Sequence, residues 1–340
     1  MTTRRHLIKT AGLASLAAAA GGSVRADTAP ATKTQGGPTG LPRRMTLLAI
    51  RQPNGDETLG VKTAGGVLDV DKAATLLHME APTTLQALLA DSSAPALEAL
   101  VEAAATRPEA KAALRDENTI TFGRLITNPS KIVCVGLNYR AHAKETDMKT
   151  AKEPILFNKY NNTLAAHQCT IKLPPKEVSY KFDYETELLI VMGKTARNVS
   201  EAEALNYVAG YAIGHDFSAR DLQLETGGQW MVGKTLDGFA PIGPYFVSAD
   251  QIDPNNLRIQ TRVNGQMRQN ANTSDFIFNP QKVISYTSQL FALEPGDIIF
   301  TGTPSGVIIG MPKDKQVWLK AGDKIESEIE HLGVLRFDLA

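Results

Sequence analysis

The stretch Phe182–Lys194, FDYETELLIVMGK, sets three carboxylates at alternate positions and then runs almost unbroken through apolar residues. Side chains alternate across a β-strand, so Asp183, Glu185 and Glu187 share a face with Leu189 and Val191, while Tyr184, Thr186, Leu188, Ile190 and Met192 share the other. Both faces turn apolar along the strand, as expected of a buried one. A lone charge entering such a strand costs roughly several kcal/mol or shifts its pKa until it is neutral. Two carboxylates on one face also repel each other. A single hard divalent cation relieves both problems, because Mg²⁺ and Mn²⁺ prefer oxygen ligands and residues i and i+2 on one face can reach one ion. The competing reading is a sheet edge whose acids merely face water.

Other segments supply partners for such an ion. In YAIGHDFSARDLQ, apolar residues lead into Asp216, a third oxygen ligand, and the set leaves room for water and substrate at a Lewis-acid centre. His215 falls on the opposite side of any strand and reads as structural. GLNYRAHAKE places His142 and Glu145 three residues apart. On a helical turn they share a face, and Glu145 can orient the imidazole as a general base; a solvated surface pair is the alternative. Lys234, in QWMVGKTLDGF, sits among apolar residues and glycines, which suits an ammonium beside an anion, unless it is an exposed loop lysine. FTGTPSGV, Phe300–Val307, follows a strand and offers backbone N–H groups with the Thr303 hydroxyl, an arrangement able to hold a carboxylate. Ser305 lacks the spacing of a nucleophile elbow, and GLNYRAH lacks the glycines of a dinucleotide fingerprint.

The 340 residues, 43% of them hydrophobic, can bury a substantial core. Equal numbers of basic and acidic residues, 36 each, with no basic block, exclude the footprint of a nucleic-acid binder. Arg4 and Arg5 precede the mildly apolar AGLASLAAAA and a small-residue site ending at Ala26. That pattern is a twin-arginine export signal over 1–26, implying a bacterial periplasmic destination and a mature chain that is net acidic. Residues 27–44 read as a flexible linker rich in Pro, Gly and Thr, 45–125 as a small domain of strands and helices, and 130–340 as a larger, mainly β domain. Two helices are expected in the latter, one after a Ser200/Glu203 capping box ahead of ALNYVAGY. The other starts at Asn279–Pro280 and carries Val283, Ile284, Thr287, Leu290 and Phe291 on one stripe. Of the two cysteines, Cys134 lies inside KIVCVGL and reads as a buried thiol rather than a partner of Cys169.

GLNY with HAKE, DYETELLIVMGK, DFSARDLQ, GKTLDGFAPIGP, NGQMRQNANTSDFIF and LEPGDIIFTGTPSG occur in this order, and together they resemble the fumarylacetoacetate hydrolase family from about Ser130 to Ala340. The resemblance implies an α+β, mainly β protein: a mixed β-roll catalytic domain with a small N-terminal α/β domain, homodimeric, binding Mg²⁺ or Mn²⁺ and in some members Ca²⁺. It puts the metal on Glu185, Glu187 and Asp216, with Asp183 second to them or solvated. Water activation falls to His142 with Glu145, and substrate contacts to Arg220, Gln223, Lys234 and Thr303. The implied reaction is hydrolysis of a C–C bond in an acylpyruvate-like 2-oxo acid through an enolate stabilised by metal and Lys234. Isomerisation or decarboxylation of muconate-type or oxaloacetate-type acids on the same site is the alternative. A non-catalytic exported binding protein for sugar acids or dicarboxylates is an alternative of another class. The extra Asp ligand of the fumarylacetoacetate-cleaving branch has no counterpart near Asn138, which favours the smaller acylpyruvate-type site. FNKYNNTLAAHQC also departs from the family, and His167 within it is assigned only loop packing.

Overall fold

A computed structural model describes residues 40–90, 92–145 and 151–340. The expected export signal lies outside them, as does most of the linker. The linker's end is packed rather than flexible: Leu41 is buried, and the Arg44 N–H donates to the Asp250 carboxylate at 3.0 Å.

The apolar run of the opening stretch becomes the strand Thr186–Met192, buried at every position. Its two faces serve two different cores. Leu188, Ile190 and Met192 pack with Tyr211, Ile213, Val247, Ile259, Ile325 and Phe337, whereas Leu189 and Val191 join Ala212, Phe246 and Phe300 against Leu47, Val70, Leu88, Leu97 and Leu100. Burying each of these large side chains contributes about 1.5–3 kcal/mol, so a one-residue slip would place Glu187 in the first core and is strongly opposed.

Among the described residues the larger sheet has eleven strands. Its order is Leu114–Arg115, Gly66–Asp69, Glu57–Thr63, Thr46–Arg51, Ala240–Ser248, Val208–His215, Thr186–Met192, Ile298–Phe300, Ile132–Gly136 and Ile155–Lys159, with Leu164–Ala165 parallel to Ala240–Ser248. A five-stranded sheet, Gln266–Asn272, Arg258–Val263, Lys324–Ile329, Gly333–Leu339 and Cys169–Ile171, covers one face. The helices Val70–Leu77, Leu85–Ala90 and Ala94–Thr106 cover the other. This is the mainly β architecture expected. The boundary expected between 125 and 130 is not a break, however. Thr46 and Leu47 pair with Val247 and Phe246, so the N-terminal strands extend the same sheet, and Pro38–Ala340 forms one compact unit.

The helix expected after Ser200/Glu203 does not form. A single 3₁₀ turn, Ala204–Tyr207, leads straight into the strand Val208–His215. Flanked on both sides by pairing strands, this segment satisfies its backbone in the sheet, which outweighs the local capping signal. The second helix, Pro280–Leu290, forms as expected, with the Asn279 side chain accepting from the Lys282 N–H at 2.9 Å. Val283, Ile284 and Thr287 are buried, but Leu290 and Phe291 are 54% and 37% exposed, because the stripe outruns the surface it packs on. Both cysteines are free, and Cys134 is buried as read.

His167 staples the FNKYNNTLAAHQC segment to the five-stranded sheet. Its Nδ1 accepts from the Arg336 N–H at 3.1 Å, and its ring meets Phe122 edge-on at 4.6 Å. Burial, helped by Arg336, holds its pKa down at about 4 from 6.5. The folded state therefore holds the neutral ring, and its stability contribution is whole above about 6.5 and is lost as pH falls through about 4. His215, at about 3 through burial, loses its contribution over a similar acid range. Scanning calorimetry should show the melting temperature of the wild type falling more steeply from pH 6.5 to 4 than that of His167→Gln. Parallel curves would assign the acid sensitivity elsewhere.

Candidate active site

Directly paired residues of a ladder share a face, and Glu187 stands opposite Gly214 as Leu189 stands opposite Ala212. Asp216, two residues beyond Gly214, projects to the same side, and its N–H donates to the Glu185 carbonyl at 2.9 Å. This is the face that the helices cover further along the strands. Here it opens into a cavity of about 900 Å³ whose wall, among the described residues, contains none before Val135. The acids thus occupy the end of a doubly buried strand where the helical cover stops.

The carboxylates of Glu185, Glu187 and Asp216 are buried, and an oxygen from each lies within 4.8 Å of the others. Lys234, fully buried rather than on an exposed loop, donates to Glu185 Oε2 at 2.5 Å and to Asp216 Oδ2 at 2.9 Å. Arg220 Nη2 reaches Glu185 Oε1 at 2.6 Å. Burial works against ionisation of Glu185, but Lys234 and Arg220 hold its pKa at about 2. Burial also opposes the charge of Lys234, and Asp216 and Glu185 outweigh it, so its pKa is raised and it stays an ammonium. Glu187 is treated differently. Burial, then Asp216 and Glu185, push its carboxyl well above the usual range. Among the described residues its one hydrogen bond is from the Gly302 N–H, at 2.6 Å. Three hard oxygen donors, one lacking a cationic partner, fit a divalent cation such as Mg²⁺ or Mn²⁺, which would supply the positive charge that Glu187 lacks.

His142 and Glu145 meet on the short helix Arg140–Glu145, with Nδ1 and Oε1 2.8 Å apart, and both line the same cavity. They are not a solvated pair: His142 is buried, and the Gly306 N–H donates to Glu145 Oε2 at 2.9 Å. Because a carboxylate only accepts, Glu145 fixes the proton on Nδ1 and leaves the basicity on Nε2.

The remaining expected residues line the cavity, but several are engaged inward. Arg220 directs Nε to Asp183 at 2.8 Å, Nη1 to Gln223 Oε1 at 2.8 Å and Nη2 to Glu185, so its first task is to hold protein carboxylates. Gln223, with its Oε1 taken, presents the amide nitrogen as its donor. The Thr303 hydroxyl donates to the Thr186 carbonyl at 2.9 Å and accepts from Gln269 at 2.8 Å. The loop read as a carboxylate holder does hold carboxylates, those of Glu187 and Glu145, through the N–H groups of Gly302 and Gly306. Asp183 is not solvated. Fully buried, it accepts from Arg220 and from the N–H groups of Tyr184, Ile308 and Ile309. His215 is structural as read, accepting from the Glu185 N–H at 3.0 Å and meeting Ser327 Oγ at 2.9 Å. Asn138 staples two loops through the Phe278 and Thr301 carbonyls.

Sequence reasoning missed Lys159, a buried lysine whose Nζ donates to Asp216 Oδ1 at 2.6 Å. Its signal was a lysine closing the apolar strand EPILFNK in phase with Ile155 and Phe157. Gln269, which positions Thr303, carried no signal, since it stands in a strongly polar strand.

Residues 131–340 match the family model described as fumarylacetoacetate (FAA) hydrolase C-terminal. A mitochondrial oxaloacetate tautomerase of Rattus norvegicus is 38% identical over 297 residues, 86% of this chain and 91% of that protein. Among solved structures, a putative HpcE protein of Mycobacterium smegmatis superposes with a TM-score of 0.74 at 32% identity, over 87% of this chain and 99% of that one. A fumarylpyruvate hydrolase of Pseudomonas aeruginosa in complex with Mn²⁺ and pyruvate gives 0.56 at 32% identity, over 62% and 89%. With its sheets, buried acidic cluster and histidine–glutamate pair in that setting, the chain belongs to the fumarylacetoacetate hydrolase family.

Proposed function

We propose that this protein is a divalent-metal-dependent enzyme that interconverts the keto and enol forms of a short 2-oxo dicarboxylic acid such as oxaloacetate. The observation that carries the reading is one cavity in which His142–Glu145 faces the Glu185–Glu187–Asp216 cluster and its Lys234 ammonium. The oxaloacetate tautomerase likeness over most of the chain supports it. A cation held by Glu185, Glu187 and Asp216 would supply Lewis acidity toward the 2-oxo carboxylate end of the substrate. Lys234, kept charged by two carboxylates, stands where negative charge develops on the 2-oxo oxygen. His142 takes the proton from C3 as the C2–C3 double bond forms, with Glu145 stabilising the imidazolium. The enolate oxygen takes a proton from solvent to give the enol as the imidazolium releases its own to solvent, and the reverse direction retraces these transfers. Gln223 orients the substrate from the wall, and Arg220 with Lys159 keeps Glu185 and Asp216 aimed inward.

Hydrolytic cleavage of acylpyruvates is the second reading. It is favoured by the fumarylpyruvate hydrolase likeness and by a buried base able to activate water. Following the enol absorbance of oxaloacetate with Mg²⁺ or Mn²⁺, and again after chelation, tests the first. Equilibration should be accelerated by the metal-loaded protein and should return to the spontaneous rate after chelation. An unchanged rate alongside pyruvate release from acylpyruvates would hand the assignment to the hydrolase, and CO₂ release to a decarboxylase. Metal-dependent binding without turnover on any of them would make the protein a binding module.

A further inference from the structure

The loop that receives Glu145 contains two glycines with different reasons for being there. Gly306 has φ +104°, and a Cβ on it would lie 2.2 Å from the Arg268 carbonyl oxygen, so the backbone itself demands glycine. Gly310 does not occupy the left-handed region. The three atoms that a Cβ on it would meet first all belong to one side chain: Glu145 Cδ at 2.6 Å, and its Cγ and Oε1 at 2.8 Å each. The backbone of Gly310 accepts an alanine; the neighbouring carboxylate does not. Between the glycines, the N–H groups of Ile308 and Ile309 donate to Asp183 Oδ1 and Oδ2 at 2.8 and 3.1 Å. Asp183 accepts from Arg220 Nε, and Arg220 Nη2 reaches Glu185. One loop therefore touches the histidine's carboxylate partner at both ends and is tied through Asp183 and Arg220 to the acidic cluster.

We infer that the Gly306–Gly310 loop sets the placement of the base relative to the carboxylate cluster, and that Gly310 is a positioning residue whose missing side chain makes the seat for Glu145. The inference rests on the roles proposed above for His142 and Glu145. Glu145 lies against Gly310, takes the Gly306 N–H, and from that seat orients His142 through Nδ1. A Cβ at Gly310 pushes the carboxylate off the seat and turns the imidazole. Such a displacement, of about 1 Å, costs on the order of 100-fold in rate without contact to substrate.

The test is a double-mutant cycle of Gly310→Ala and Glu145→Ala on the full chain, reading kcat, KM, Mn²⁺ affinity by calorimetry, and melting temperature. Gly310→Ala alone should lower kcat on the order of 100-fold while leaving KM and Mn²⁺ affinity within about threefold, as expected for lost transition-state geometry. In the Glu145→Ala background the three atoms nearest the added methyl are gone, so it should cost less than about threefold and leave the melting temperature unchanged. Multiplying losses, or a fully active Gly310→Ala protein beside an impaired Glu145→Ala one, would overturn the inference while the dyad survives. Full turnover of Glu145→Ala would instead sink the dyad and the inference with it. A Gly310→Ala chain that fails to fold even in the Glu145→Ala background would also overturn it, since the obstruction would then not be Glu145.

Discussion

Glu187→Gln is expected to lower affinity for Mn²⁺ or Mg²⁺ by at least about 100-fold, more than the loss typical of a partner one shell out, and to abolish metal-dependent turnover. The metal-free variant should nevertheless melt no lower than the metal-free wild type. Glu187 is buried beside Asp216 and Glu185, and its pKa is pushed well up. Ionising it without an ion therefore costs stability, and an amide of the same shape removes that cost. Asp216→Asn makes the contrast. Both Asp216 oxygens carry a buried ammonium, Lys159 at 2.6 Å and Lys234 at 2.9 Å. Neutralising Asp216 strips two buried cations of a counter-charge, so it should lower metal affinity and also destabilise the metal-free fold by about 3–5 kcal/mol. Calorimetric titration and thermal melts of both variants decide the matter. Equal metal affinity in Glu187→Gln would remove Glu187 from the ligand set, and equal melting temperatures would show that the two acids are not differently compensated.

His142→Ala is expected to lower kcat by about 10²–10⁴-fold, the range for loss of a positioned acid–base group, with Mn²⁺ affinity unchanged within about threefold. The imidazole faces the same cavity as the carboxylates, yet none of the three carboxylates relies on it for a hydrogen bond among the described residues. Metal binding and proton transfer should therefore separate cleanly in this variant. Both tautomerisation and hydrolysis need a base, whereas loss of CO₂ from a 2-oxo acid needs only stabilisation of the developing enolate. If His142→Ala keeps oxaloacetate turnover and Lys234→Met loses it, the histidine is not the base. The reaction would then be carried by the ammonium and the acidic cluster.

The spacing of Asp183, Glu185 and Glu187 was legible because strand periodicity is a property of the chain itself, and the same holds for His142 and Glu145 on one helical turn. Neither spacing could say which of the three acids lacks a cation. Asp183 and Glu187 alternate identically in the sequence, yet Asp183 receives Arg220 and three N–H groups while Glu187 receives one. Most of that difference comes from Arg220 and from the Ile308 and Ile309 N–H groups, which lie far along the chain. Likewise, the Ser200/Glu203 signal was read as the start of a helix, and the sheet overrode it because Val208–His215 has a pairing strand on each side.

The sequence by itself determined the mainly β class and pointed to a buried strand, an oxygen-ligand cluster and a histidine–glutamate pair on one helical turn, because each depends on periodicity or residue chemistry within a few positions. Only the tertiary structure decided that the N-terminal strands extend the catalytic sheet, that Lys159 is buried on Asp216, that the loop N–H groups are spent on the protein's own acids, and that Gly310 is the floor under Glu145. Those outcomes depend on which distant segments meet, and in a close-packed interior a contact's meaning is set by what occupies the neighbouring space.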